Sequence, residues 1–110
     1  MITIEDLIAI NKQFSNGNIL NKSSLEFALS QGKHTKDWIK QLSYLVRTIL
    51  IYHVFEEGNK RTVSALIMSF MEIHKLGYDP QKIDAAIVEI LKKNINNMSK
   101  IRRMIKNAIR

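Results

Sequence analysis

The sequence predicts an all-α fold of about six helices in one domain spanning residues 1–110, and three observations predict it. Helix-capping residues stand ahead of apolar stretches again and again. Within those stretches apolar residues recur three and four apart, the spacing of one helix face. No stretch alternates convincingly in the way a strand requires.

Thr3 caps a first helix, with Glu5 and Asp6 set against the positive end of its dipole. Ile4, Leu7, Ile8 and Asn11 trace one side of it. Asn16-Gly17-Asn18 reads as a turn, because glycine and asparagine tolerate positive φ. Ser23 with Glu26 forms a capping box that opens a short helix through Leu25, Ala28 and Leu29, and Gln31-Gly32-Lys33 ends it. The clearest helix follows: Trp38, Ile39, Leu42, Leu45, Val46, Ile49 and Leu50 share one face, and the pattern runs towards His53.

From Thr62 to Leu76 the chain is apolar on most sides, which predicts a central, buried helix with Gly77 stopping it at the C′ position. Asp79-Pro80 reads as an N-cap followed by proline at the first helical position, leading a helix with Ile83, Ile87, Ile90 and Leu91 on one face. Ser99 caps a last helix whose stripe is Ile101, Met104, Ile105, Ala108 and Ile109. The expected architecture is a bundle packed round the Thr62–Leu76 helix.

Composition narrows the classes of function. Hydrophobic residues make up 45% of the 110 and charged residues 25%, which suits a folded soluble domain and argues against disorder. With no cysteine there is no disulfide framework, thiolate nucleophile or cysteine-ligated zinc, and a reducing, cytoplasmic setting is expected. The most apolar run, Ala65–Met71, is interrupted by Ser69 and stopped by Glu72, so no membrane span is expected. Glu5 and Asp6 stand where a signal peptide would carry lysines.

The net charge of +7 has one source. Residues 1–91 hold ten Lys/Arg against ten Asp/Glu, while residues 92–110 hold seven cations and no acid. A neutral domain therefore carries a basic C-terminal segment. That segment has three readings: a solvated helix face, a contact for an acidic protein, or a nucleic-acid contact. The third lacks interleaved aromatics and any groove-reading motif.

Between the two most hydrophobic helices lies His53-Val54-Phe55-Glu56-Glu57-Gly58-Asn59-Lys60-Arg61-Thr62, an odd connector. Gly58 allows a backbone conformation closed to other residues. The Asn59–Thr62 stretch opens a helix whose first N–H groups lack partners and attract anions. Lys60 and Arg61 add positive charge at the same place, so a phosphate chain is the natural ligand. Glu57 supplies a carboxylate for Mg²⁺, which bridges phosphate oxygens to one or two acids. A neutral His53 can take a proton from an attacking hydroxyl. Together these make a phosphoryl- or nucleotidyl-transfer site. It is not a Walker loop, because the glycine that should lie five residues before Gly58 is missing.

The segment resembles the Fic/Doc family signature, His-x-Phe-x-Asp/Glu-Gly-Asn-Gly/Lys-Arg, through His53, Phe55, Glu57, Gly58, Asn59 and Arg61. Lys60 is similar to the lysine of the Doc (death-on-curing) toxin branch. Ser24–Leu29 and the run from Lys60 to Leu76-Gly77-Tyr78 also look Doc-like, so the likeness covers roughly residues 20–80. The resemblance implies a small helical enzyme that modifies protein hydroxyls with ATP and Mg²⁺. It assigns His53 as general base, Glu57 as metal ligand, and Gly58, Asn59, Lys60 and Arg61 to the nucleotide phosphates, with Phe55 as an inward anchor. A Doc toxin is associated with moving the terminal phosphate onto elongation factor Tu and is paired with a largely disordered antitoxin; a Fic enzyme transfers AMP instead. A catalytically weak binding module of the same fold is the third reading. Fic enzymes often carry a second arginine three residues after the first, where this chain has Ser64. Some Doc toxins place a basic residue and an amide where this chain has Ile51 and Ala65.

Simpler roles stand beside these. Asn59 can be a plain helix cap, Gly58 a turn residue and Glu56 a solvated carboxylate. His34 and His74 are read as structural, and Phe55, Trp38, Met68 and Met71 as core.

Overall fold

Five helices start under a side-chain oxygen and one does not, a difference that bears on function. The computed structural model describes residues 2–110, among which six helices form: α1 (Ile4–Lys12), α2 (Lys22–Gly32), α3 (Trp38–Ile51), α4 (Asn59–Ile73), α5 (Pro80–Lys92) and α6 (Met98–Asn107). The all-α expectation holds. None of these helices is long and apolar enough to cross a membrane.

Thr3 and Asp6 close a reciprocal box at α1, with Thr3 N–H donating 2.8 Å to Asp6 Oδ2 and Asp6 N–H donating 3.2 Å to Thr3 Oγ1. Asp79 caps α5 ahead of Pro80, as expected. Two caps differ from the sequence reading. Asn21, not Ser23, caps α2 by accepting from Ser24 N–H, so Ser23 and Glu26 lie inside the helix and form no box. Asn97, not Ser99, caps α6 by accepting from Lys100 N–H at 3.0 Å. In both cases an amide oxygen two residues upstream takes the N–H first.

The ends of α3, α4 and α5 share one device. Their chains turn through left-handed, non-glycine residues: His53 (φ 49°), Lys75 (φ 58°) and Asn94 (φ 50°). The next N–H then reaches back to the helix, Val54 to Ile49 O, Leu76 to Met71 O and Ile95 to Ile90 O. This is the Schellman closure, which ties an apolar residue beyond the helix to one in its last turn. It overturns the role expected of Gly77. Helix α4 ends at Ile73, Lys75 takes the left-handed position, and Leu76 belongs to the closure.

The helix with most neighbours is α3 rather than α4. It packs on α2, α4, α5 and α6, while α4 lies against α1, α3 and α5. The stripe read from sequence explains this, since Leu42, Leu45, Val46, Ile49 and Leu50 are all buried. Trp38 sits at the edge of that core, half-buried, with its ring stacked 4.2 Å from His74. Ile73 of α4, which lines the same groove as Trp38, is 73% exposed, so α4 is not enclosed all round.

Two short pairings tie the connectors down. Ile19 pairs antiparallel with Phe55, and Tyr78 with Ile109. The first holds the α1–α2 turn against the α3–α4 loop.

Candidate functional site

The loop from His53 to Gly58 is fixed from both sides by buried groups. Phe55 is fully buried and is the largest such side chain in the core. Burying a phenylalanine stabilises by about 1.5–3 kcal/mol, enough to pin a short loop to the bundle. The Asn59 side chain clamps the same residue by its backbone: Phe55 N–H donates to Asn59 Oδ1 at 3.0 Å, and Asn59 Nδ2 donates to Phe55 O at 2.8 Å. Asn59 therefore caps no helix. It occupies the first turn of α4, mostly buried, with both ends of its carboxamide engaged by the loop.

Asn11, on α1, does for the other half of the loop what Asn59 does for the first. Its Nδ2 donates to Glu57 O at 2.9 Å and to Thr62 Oγ1 at 3.0 Å, and its Oδ1 accepts from Gly17 N–H at 2.9 Å. It is completely buried. Sequence reading placed Asn11 on the inner side of α1 but could not see its work, because its loop partners lie 46 and 51 residues away.

Gly58 stands at φ 76°, ψ 17°, and a Cβ there would come within 3.2 Å of Asn11 Nδ2 and of Ser15 Cβ. Both the conformation and the space call for glycine. Because Gly58 has no side chain to offer, α4 is the one helix among the described residues that starts without a side-chain cap. The N–H groups of its first turn are left for another acceptor.

A cleft of about 290 Å³ is lined by His53, Glu57, Gly58, Asn59 and Lys60, with Leu50 and Leu91 as its apolar wall. Five of the six predicted site residues thus meet at one place. Arg61 does not. It lines an adjoining cleft of about 370 Å³ together with Phe14, Ser64, Met68 and Val88, and Lys60 borders both. One residue of helix advance turns Arg61 by about 100° from Lys60, which accounts for the separation. A larger groove of about 750 Å³, past Trp38 and Phe70, holds none of the predicted residues.

The imidazole of His53 is exposed, with Nδ1 3.4 Å from Asn59 Nδ2. The orientation of the Asn59 amide follows from Phe55, whose N–H and C=O settle which end is oxygen. Nδ2 can only donate, so in the neutral ring Nδ1 accepts and the proton sits on Nε2. For Nε2 to act as a base, that proton must first move to Nδ1, at the expense of one long contact.

Glu57 is exposed and lines the cleft together with Lys60. No group of three or more His, Asp or Glu side chains is assembled for a metal among the described residues. A single carboxylate fits Mg²⁺ bound mainly through waters and phosphate oxygens, and does not fit an all-protein metal cage. Glu56 turns the other way: its Oε2 accepts from Asn18 Nδ2 at 3.0 Å and from Asn16 Nδ2 at 3.4 Å, so it anchors the α1–α2 turn rather than standing free in solvent.

Ser64 donates to Asp84 Oδ1 at 3.1 Å, within the cleft that it shares with Arg61. Ile51 is half-buried at the end of α3, and Ala65 is half-buried on α4. No protein-family model, curated protein or solved structure matches this chain.

Proposed function

We propose that the chain is a Doc-like phosphotransferase that moves the terminal phosphate of ATP to a serine or threonine hydroxyl of a cellular protein, such as elongation factor Tu. One observation carries this reading. A single cleft gathers an imidazole, a carboxylate, a lysine and an uncapped helix start on a loop braced by Phe55, Asn59 and Asn11.

The roles follow from the groups. The free N–H groups at the start of α4 and the Lys60 ammonium hold the phosphate oxygens as charge develops in transfer. Arg61, in the adjoining cleft, extends the cationic surface along which a nucleotide lies. Glu57 is the carboxylate that would hold Mg²⁺, whose charge offsets that of the phosphates. Once its own ring proton has moved from Nε2 to Nδ1, His53 takes the proton of the acceptor hydroxyl through Nε2. The hydroxyl oxygen then bonds to the γ-phosphorus, the bond to the β-γ bridging oxygen breaks, and ADP leaves with that electron pair. A cytoplasmic setting and control by a disordered antitoxin belong to the same proposal.

Lys60 and Ser64 favour phosphate over AMP transfer. The long cation fills space that a glycine would leave open, and Ser64 is spent on Asp84. The His53 tautomer supports a second reading, a nucleotide-binding module of the same fold with little turnover.

Mass spectrometry of lysate proteins incubated with the protein, ATP and Mg²⁺ tests the reaction. A phosphoryl group on serine or threonine, absent with His53→Ala, is expected. An added AMP contradicts phosphate transfer, and the same modification with His53→Ala contradicts the assigned base.

A further inference from the structure

A second polar cleft lies between α2 and α3. It measures about 280 Å³ and is lined by Ser23, Ser24, Phe27, Arg47, Thr48 and Tyr52. Arg47 is its only charged lining residue among those described, so the cleft carries a cation and no acid. The guanidinium makes no ion pair. Its Nε is buried without a partner, Nη1 reaches Asn96 O only at 3.4 Å, and the group lies 5.6 Å from the Tyr44 ring centroid. Among the described residues no carboxylate pairs with this cation, so an acidic partner is its electrostatic complement.

The rim makes a second demand. Phe27 is 61% exposed and Tyr52 48% exposed, two of the few large apolar side chains presented to solvent. Both border this cleft. Exposed aromatics around an arginine form the composition that dominates protein-contact hot spots. A nucleic acid would call for a row of cations along a backbone track, and this cleft offers one. One fork-shaped guanidinium suits one carboxylate.

Tyr52 lines this cleft and the next residue, His53, lines the other, with their Cα atoms about 3.8 Å apart. We infer that this cleft is the docking site for the acceptor protein: it takes an acidic side chain on Arg47 and an adjacent apolar one against Phe27 and Tyr52, presenting a nearby hydroxyl to His53. The inference rests on the phosphotransfer reading for its purpose, though not for the binding it requires.

The test uses two fluorescein-labelled eleven-residue peptides with a central threonine. One is flanked on both sides by Glu-Leu and the other by Gln-Leu. Fluorescence polarisation with the full chain should give at least tenfold tighter binding of the glutamate peptide. Arg47→Gln should abolish that preference. Phe27→Glu, on an exposed side chain that the fold does not need, should weaken the glutamate peptide at least tenfold. In transfer assays both variants should raise the peptide KM with kcat little changed. Equal binding of the two peptides, or a preference that survives both substitutions, overturns the docking site. Arg47-dependent binding of the glutamate peptide without any phosphate transfer upholds the docking site and removes the enzymatic reading instead.

Discussion

At the residue scale His53 carries two separable loads. Its imidazole serves the cleft, and its backbone closes α3 in the left-handed region, which costs a non-glycine residue about 1–2 kcal/mol. His53→Gly removes the first load and relieves the second. We expect it to abolish transfer while raising stability by about 1 kcal/mol in thermal or urea unfolding. A fall in stability would show that the ring, and not only the backbone, holds the helix end. Asn11→Ala should do the reverse of a silent change: the Glu57 carbonyl and the Gly17 N–H lose a buried partner, and unfolding should become easier by about 2–3 kcal/mol. Tyr78 offers a milder probe. Its hydroxyl donates 2.7 Å to Glu72, and that bond, with desolvation and the carboxylate charge, raises its pKa above the usual 10.0. The bond's contribution is complete below pH 10 and is lost as pH rises through the raised value. In absorbance titration Glu72→Gln should lower the pH at which Tyr78 ionises, and an unchanged curve would contradict the role given to that bond.

At the element scale the N-caps show what a sequence can and cannot reveal. Asp79-Pro80 was readable because cap and proline are adjacent and the proline cannot sit deeper in a helix. Ser23-x-x-Glu26 has the form of a capping box, yet Asn21 makes the bond, and only the backbone path decides between them. The left-handed closures at Lys75 and Asn94 are hidden for another reason: what selects them is the apolar residue that follows, Leu76 or Ile95, not a glycine at the turn. Asn11 and Asn59 are hidden for a third, since their partners are backbone atoms brought close by folding. Asp37 joins two elements, capping α3 through Oδ1 while its Oδ2 pairs with Arg102 of α6. Asp37→Ala should cost about 1–2 kcal/mol in urea unfolding and Asp37→Asn less than about 1, because the amide keeps the cap and loses only a partly exposed pair. Equal losses would mean that the pair outweighs the cap.

At the scale of the whole molecule the charge is now placed. Arg102 is held by Asp37 and Lys93 by Glu89, while Lys92, Lys100, Arg103, Lys106 and Arg110 face solvent. The bundle was legible in outline because α3 and α5 keep a regular apolar stripe, whereas the hub was misplaced because α4 is apolar on more sides than it buries. What the fold achieves is to hold one uncapped helix start, one acid and one imidazole around the same cleft. The most direct measurement supplies ATP labelled at either the α- or the γ-phosphorus, with a cell lysate and Mg²⁺, to the wild type and to folded His53→Gly. Label entering protein from the γ position alone, and only with wild type, is the predicted result. Label from the α position, or γ label that persists without the imidazole, would contradict it.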